Sequence, residues 1–328
     1  MNRLVVRVRA VGGPEVLEVE EEVAPAPGHG EVQLTQTAVG LNFIDTYQRS
    51  GLYPMPLPFV PGSEGAGVVS AVGAGVDASL LGRRVAYAGV LGAYATVRTL
   101  AAERVVQVPD GVSDVLAAAM MLKGMTAEYL VRRLHAVQPG EVVVVHAAAG
   151  GVGQLLCQWA SHLGATVIGV VGSEAKAAIA RRCGAGHVVV TPGQSLVDEA
   201  KRLTSGRGVD VVYDSVGKDT LSASLDALRP RGLLVSFGQS SGMPPPLALS
   251  SLGGARSLFV TRPSLHAYVH TRAELEASAS ALFDVVARGV VTVAEPTRFT
   301  LRAVADAHRA LEGRQTTGSV VLVPEGDA

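Results

Sequence analysis

Val142-Val143-Val144-Val145-His146-Ala147-Ala148-Ala149-Gly150-Gly151-Val152-Gly153 decides the fold of this chain. Its first half is a continuous aliphatic run, the form taken by a parallel strand buried on both faces. Its second half is a glycine-rich turn, and Gln154–Leu163 after it has the composition of a helix. Against a G-x-G-x-x-G template, Ala148, Gly150 and Gly153 hold the three glycine positions. Gly150 lets the backbone approach a pyrophosphate, and Gly153 lets helix and strand pack closely. The free N–H groups of Gly151 and Val152 and the positive end of the helix dipole would then hold the phosphates. A lone glycine fingerprint is weak, and a βα turn without a ligand is the alternative. Its place at the first strand of an alternating array favours a dinucleotide.

That array runs outward from the turn. Thr166–Val171, His187–Val190, Val209–Asp214, Leu233–Phe237 and Ser257–Thr261 read as strands, and the segments between them are long enough for crossover helices. Strand and helix in alternation specify a doubly wound α/β domain, placed at residues 119–265. Before it, residues 1–118 read as mostly strand: Leu4–Val8, Glu31–Val39, Gly65–Val72, Arg83–Ala88 and Ala93–Val97, punctuated by Gly and Pro clusters. Pro54, Pro56, Pro58 and Pro61 stiffen a loop there. After it come a helix at Ala273–Ala287 and a last strand at Ser319–Val323. That strand is expected to return to the first domain, so residues 266–328 join 1–118 and the α/β domain is an insertion.

At 328 residues, the chain has room for about two domains. Its 48% hydrophobic content excludes disorder, and a net charge of −1 gives no pull toward nucleic acid or an acidic membrane. Cys157 and Cys183, the only cysteines, cannot form a disulfide scaffold or a four-cysteine zinc site, and both read as small core hydrophobes within helices. No signal-like or membrane-spanning run is evident, which makes the cytoplasm the default compartment.

The second strand ends in Gly172-Ser173-Glu174-Ala175-Lys176. An NAD-binding turn carries an acidic residue at the Gly172 position; here Ser173 can donate to a phosphate and Lys176 adds a charge one helical turn on. NADPH is therefore preferred, although Glu174 could pair with a ribose. A zinc ion is a common Lewis acid for unactivated carbonyls, but the eight histidines are scattered. His266 and His270 have i,i+4 spacing in what reads as a surface loop.

Taken together, the β-rich start, the Ala-Ala-Ala-Gly-Gly-Val-Gly turn and the returning strand resemble the medium-chain dehydrogenase/reductase family. Gly40-Leu41-Asn42-Phe43-Ile44-Asp45-Thr46-Tyr47, Gly51-Leu52-Tyr53-Pro54 and Val212-Tyr213-Asp214-Ser215-Val216-Gly217 are similar to its quinone oxidoreductase, or zeta-crystallin-like, branch. So are Val235–Gly242 and Thr261–Leu265. The resemblance spans essentially the whole chain and implies a Rossmann domain inserted into a β-rich GroES-like domain. Where zinc-dependent members carry a ligand cysteine and a Gly-His-Glu segment, this chain has Asn42 and Gly62-Ser63-Glu64, which implies a zinc-less enzyme.

The same resemblance implies NADPH-dependent quinone reduction by hydride transfer. The alternatives are an alkenal or enoyl reductase and a non-enzymatic, crystallin-like NADPH-binding protein. Asn42, Thr126, Tyr47 and Tyr53 are the implied catalytic residues. Packing in the proline-rich loop is the other reading of Tyr47, and a buried helix threonine that of Thr126. Gly217, Phe237, Gly238, Ser264, Leu265 and Arg314 are implied cofactor contacts, alongside Asn42 and Thr126. Pro192 stands where relatives place a tyrosine near the 2′-phosphate, which removes one such contact. The apolar strand Ser257–Thr261 would be an aggregation hazard as an open edge, so a homodimer paired across it is expected.

Overall fold

The computed structural model describes residues 2–324. The chain divides into two compact units. One comprises the described parts of Met1–Met125, Val269–Ala287 and Val293–Ala328; the other comprises Thr126–Tyr268 and Arg288–Thr292.

The first unit begins with β1 (Asn2–Val8) and β2 (Leu17–Val23), an antiparallel pair. β2 is not among the strands expected from the sequence, and every second residue from Glu18 to Glu22 is a glutamate. Their partners explain the strand: Arg3, Arg7 and Arg9 opposite form a ladder of ion pairs with Glu18, Glu20 and Glu22. β3 (Glu31–Leu41), α1 (Phe43–Arg49), β4 (Glu64–Val72), β5 (Arg84–Ala88), β6 (Val97–Ala101), β7 (Val106–Gln107) and α2 (Asp114–Glu128) follow. The strand expected at Ala93–Val97 begins only at Val97. The buried Gln36 amide takes the carbonyls of Ala93 and Ala95, which a ladder would otherwise use. The proline-rich segment forms no regular helix.

The second unit carries β8 (Val142–His146), α3 (Gly151–His162), β9 (Thr166–Val171), α4 (Glu174–Arg182), β10 (His187–Val190), α5 (Leu196–Leu203), β11 (Val209–Asp214), α6 (Leu221–Ala227), β12 (Leu228–Ser236), β13 (Phe259–Thr261) and α7 (Leu265–Tyr268). Its sheet has the order β10-β9-β8-β11-β12-β13, every pair parallel. That is the doubly wound order, with its switch point between β9 and β11 on either side of β8. All five residues of β8 are buried, and Val142, Val144, Ile168, Val170, Val189 and Leu234 form the core. β13 is shorter than the expected Ser257–Thr261. Ser257 turns into positive φ (45°) and the Leu258 N–H bonds back to Leu252, so neither joins the ladder. The His266 region, expected as loop, contains the short α7, and His266 and His270 are both exposed.

α8 (Arg272–Ala287) follows, then β14 (Thr297–Thr300), α9 (Val304–Glu312) and β15 (Val320–Val323). β15 does return to the first unit. It pairs with β3 and β14 in a sheet of order β14-β15-β3-β4-β5-β7, with β6 also on β3. No helix among the described residues is long and apolar enough to cross a membrane.

Candidate active site

In the α/β unit the candidate residues gather at the carboxyl ends of the strands. β8 ends at His146 and α3 begins at Gly151, with Gly150 as an extended N-cap (φ −81°, ψ 174°) whose carbonyl accepts the first helical bond from Gln154. No side chain caps this end. The first N–H groups of a helix have no intrahelical partner, so Gly151, Val152 and Gly153 present donors where the dipole is positive. A Cβ on Gly153 would lie 2.2 Å from the Ala147 carbonyl oxygen and 2.8 Å from Ala148 Cα. Only glycine permits the helix to sit this close to the strand end. The cradle therefore fits a dinucleotide pyrophosphate.

The neighbouring strand ends complete the edge. After β9, Gly172 is exposed and Ser173 N-caps α4, its Oγ accepting the Lys176 N–H at 3.4 Å. After β11, the Asp214 carboxylate accepts from the N–H groups of Val216 and Gly217 and from the hydroxyls of Thr220 and Ser224. It thereby shapes the turn that holds Gly217 in positive φ. Phe237 and Gly238 follow β12; a Cβ on Gly238 would come within 2.7 Å of the Ser215 carbonyl oxygen. Ser264 and Leu265 lie after β13.

His146 joins two of these ends, with Nε2 2.9 Å from Ser224 Oγ. The single Ser224 proton goes to Asp214, so His146 donates through Nε2. Burial lowers its pKa against the opposing pull of Asp214, which keeps the ring neutral. His146, Asp214 and Ser224 were missed as site residues. Nothing local in the sequence shows that they meet.

In the β-rich unit, Asn42 N-caps α1 and is buried. Its Nδ2 donates to Glu64 Oε1 at 2.8 Å, and its backbone N–H donates to Asp45 Oδ2 at 2.9 Å. Glu64, wholly buried, also accepts from Lys123 Nζ at 2.6 Å and from the Leu122 N–H. Gly40 makes room for it: a Cβ there would lie 2.2 Å from Glu64 Oε1 and 2.4 Å from the Ala118 carbonyl oxygen. Neither Glu64 nor Lys123 is singled out as a site residue by any local pattern in the sequence.

Behind Asn42 runs a buried chain. Arg49 donates to His308 Nδ1, so His308 carries its proton on Nε2 and donates to Tyr94 Oη, and Tyr94 donates to Asp45 Oδ2. Arg49 is also paired with Glu312. Burial pushes Asp45 up to about 7, against the donors Asn42 and Tyr94. Burial, reinforced by the Arg49 charge, pulls His308 down to about 3. Tyr47 and Tyr53 pack edge to face at 5.3 Å, both half-buried, with the Tyr53 N–H bonded to the Tyr47 carbonyl.

Thr126 is buried on α2, three residues after Lys123, and belongs to the α/β unit. Arg314 is exposed in positive φ (56°) after α9, in the β-rich unit. Cys157 is buried, and burial pushes its thiol up. Cys183 departs from its expected core place within a helix. It is the half-buried C-cap of α4, with Sγ 3.8 Å from Gln154 Oε1. Among the described residues no three His, Cys, Asp or Glu side chains group as metal ligands.

A doubly wound sheet with a glycine cradle at its switch point, joined to a β-rich unit with a buried polar cluster, defines the class of nicotinamide-dependent dehydrogenases and reductases. Residues 28–110 match the alcohol dehydrogenase GroES-like domain and residues 151–279 the zinc-binding dehydrogenase domain. The chain is 49% identical to quinone oxidoreductase of Pseudomonas aeruginosa, over 97% of this chain and 99% of that protein. It is 46% identical to 2-haloacrylate reductase of a Burkholderia species, over 96% and 97%. The solved structure of Escherichia coli quinone oxidoreductase complexed with NADPH superposes with a TM-score of 0.95 at 46% identity, covering 98% of this chain and 100% of that one. The chain belongs to the quinone oxidoreductase branch of the medium-chain dehydrogenase/reductase family.

Proposed function

We propose that this protein is an NADPH-dependent quinone reductase that works without zinc. The observation that carries the reading is its near full-length likeness to a quinone oxidoreductase complexed with NADPH, in a chain whose own α3 N-terminus forms a pyrophosphate cradle. NADPH supplies a hydride when bound. Gly150, Gly151, Val152 and Gly153 would hold the pyrophosphate, and Gly172, Ser173 and Lys176 the 2′-phosphate. Gly217, Phe237, Gly238, Ser264, Leu265 and Arg314 would line the rest of the cofactor. We assign Asn42, Tyr47 and Tyr53 to the acceptor and Asn42 and Thr126 to the nicotinamide end. Zinc is not required because Asn42 and Ser63 replace its ligands, and because a quinone is electrophilic without a metal. The side chains are also committed elsewhere: Asn42 to Glu64, and Ser63 to Asp45 at 3.4 Å.

A second reading has one observation in its favour, the 46% identity to a 2-haloacrylate reductase. A conjugated alkene would accept the same hydride. Anaerobic stopped-flow oxidation of NADPH and NADH with ortho-quinones, para-quinones, enones and aldehydes separates the two. The expected result is quinone turnover by NADPH, unaffected by chelator. Turnover confined to enones would select the alkene reductase, and binding without turnover would reject both.

Cofactor preference gives a sharper test. A charge-assisted hydrogen bond contributes about 1.5–3 kcal/mol. Lys176→Ala should therefore weaken NADPH binding by roughly tenfold or more and leave NADH binding within a factor of about two. Equal losses for both cofactors would remove Lys176 from the phosphate site.

We further propose a cytoplasmic homodimer paired through β13. This strand ends the six-stranded sheet, and Phe259 (60% exposed) and Val260 (37%) stand open on it. Sedimentation should give twice the 33.7 kDa chain mass; a monomer would refute the pairing.

A further inference from the structure

Of the four lysines only Lys123 is buried. An ammonium has three donors, and among the described residues Lys123 hydrogen-bonds only Glu64 Oε1. Burying such a charge is costly, and a buried ion pair is often no more stabilising than apolar packing of the same volume. Stability is thus a poor reason for this lysine, and its spare N–H groups need another.

Their surroundings supply one. Lys123 Nζ and Asn42 Nδ2 both donate to the same Glu64 oxygen, so the ammonium lies beside the amide assigned to the acceptor. An amide cannot give up a proton under these conditions. Asp45 faces inward: its carboxylate is taken by the Asn42 N–H, Tyr94 and Ser63, and the residue is wholly buried. Glu64 is held by three donors. Lys123 is the acid left in the cluster.

We propose that Lys123 is a further catalytic residue, whose ammonium hydrogen-bonds the acceptor's carbonyl oxygen and supplies the proton that completes its reduction. The inference rests on the reductase reading above and names its proton donor. A quinone that has taken up a hydride is a quinol monoanion, one proton short of the quinol. An Nζ–H bond of Lys123 then breaks as an O–H bond forms on the oxyanion. The N–H electron pair stays on Nζ, leaving a neutral amine against the Glu64 carboxylate, and water returns the proton. Glu64 acts as a positioning residue, fixing ammonium and amide on one oxygen.

Two variants test this without leaving a lone buried charge. Lys123→Arg keeps the charge and the partner for Glu64, but a guanidinium does not deprotonate in proteins. The double variant Lys123→Met with Glu64→Gln removes both charges together. NADPH binding is read by fluorescence titration, apart from turnover. Both variants should bind NADPH within about threefold of the parent and lose roughly a hundredfold in kcat, the scale of a general acid. Their rates should also become dependent on solvent buffer acid and on deuterium oxide, as water takes over as the donor. Parental kcat in Lys123→Arg would overturn the inference and leave only a structural pairing. So would an undiminished Lys123→Arg alongside a collapsed Tyr47→Phe or Tyr53→Phe. If the parent binds NADPH but reduces no quinone or enone, the reductase reading has failed first, and this inference falls with it.

Discussion

Gly153→Ala should cost roughly five- to hundredfold in NADPH affinity, with a visible loss of thermal stability. The added Cβ would meet the Ala147 carbonyl oxygen at 2.2 Å and Ala148 Cα at 2.8 Å. Both are backbone atoms, so no side chain can rotate away. The start of α3 must move off the end of β8, which is buried at every residue. Overpacking of this kind typically costs 1–3 kcal/mol, and it falls where the phosphate donors are held. Gly150→Ala is the matched comparison: its Cβ would lie 3.1 Å from the same oxygen, a clash that a shift of a few tenths of an ångström relieves. Fluorescence titration and a melting curve on both variants check the ranking. A Gly153→Ala protein binding NADPH within threefold of the parent would show that the turn does not carry the cofactor.

A level stretch of stability between about pH 4 and pH 6.5, falling on either side, is expected from the Asp45–Tyr94–His308 chain. Asp45 is raised from 3.8 to about 7, so the folded state holds a proton that the unfolded state releases. Its contribution is fully present below pH 3.8 and lost as pH rises through 7, about 4 kcal/mol in all. His308 is lowered from 6.5 to about 3, so the unfolded state takes a proton that the folded state refuses. Its contribution is present above pH 6.5 and lost as pH falls through 3, about 5 kcal/mol. Between the two windows each state binds one proton at this pair, and the slope vanishes. Asp45→Asn suits the same partners without ionising. It should abolish the fall between pH 6.5 and about 7 and turn the level stretch into a rise of stability from about pH 3 to 6.5, because His308 is then uncompensated. Denaturant midpoints measured from pH 3.5 to 8.5 would decide it; an unchanged alkaline limb in Asp45→Asn would assign that limb to other groups.

Much of the α/β unit was legible because its signals are local. His187–Val190 and Val209–Asp214 are strands at the residues expected, and the glycine turn lies between a strand and a helix. A continuous aliphatic run and a turn that only glycine can make are properties of a dozen neighbouring residues. Asn42 could likewise be singled out from the motif around it. Its setting could not.

Where local patterns competed with partners far along the chain, the sequence reading failed. β2 looks too acidic for a strand until Arg3, Arg7 and Arg9 stand opposite it. Ala93–Thr96 looks like strand until the Gln36 side chain, 57 residues earlier, claims its carbonyls. β13 loses its first two residues to a loop that bonds back on itself.

By itself, then, the sequence determined the alternating architecture and the glycine turn between its first strand and helix. Only the tertiary structure decided which charges meet. Glu64 and Lys123 are 59 residues apart, and Arg49 and His308 are 259 apart. Periodicity reports which face of an element is buried, but not which buried group lies across from it. That follows from how sheet and helices close on one another, and a buried charge acquires its chemistry from the partner it is given there.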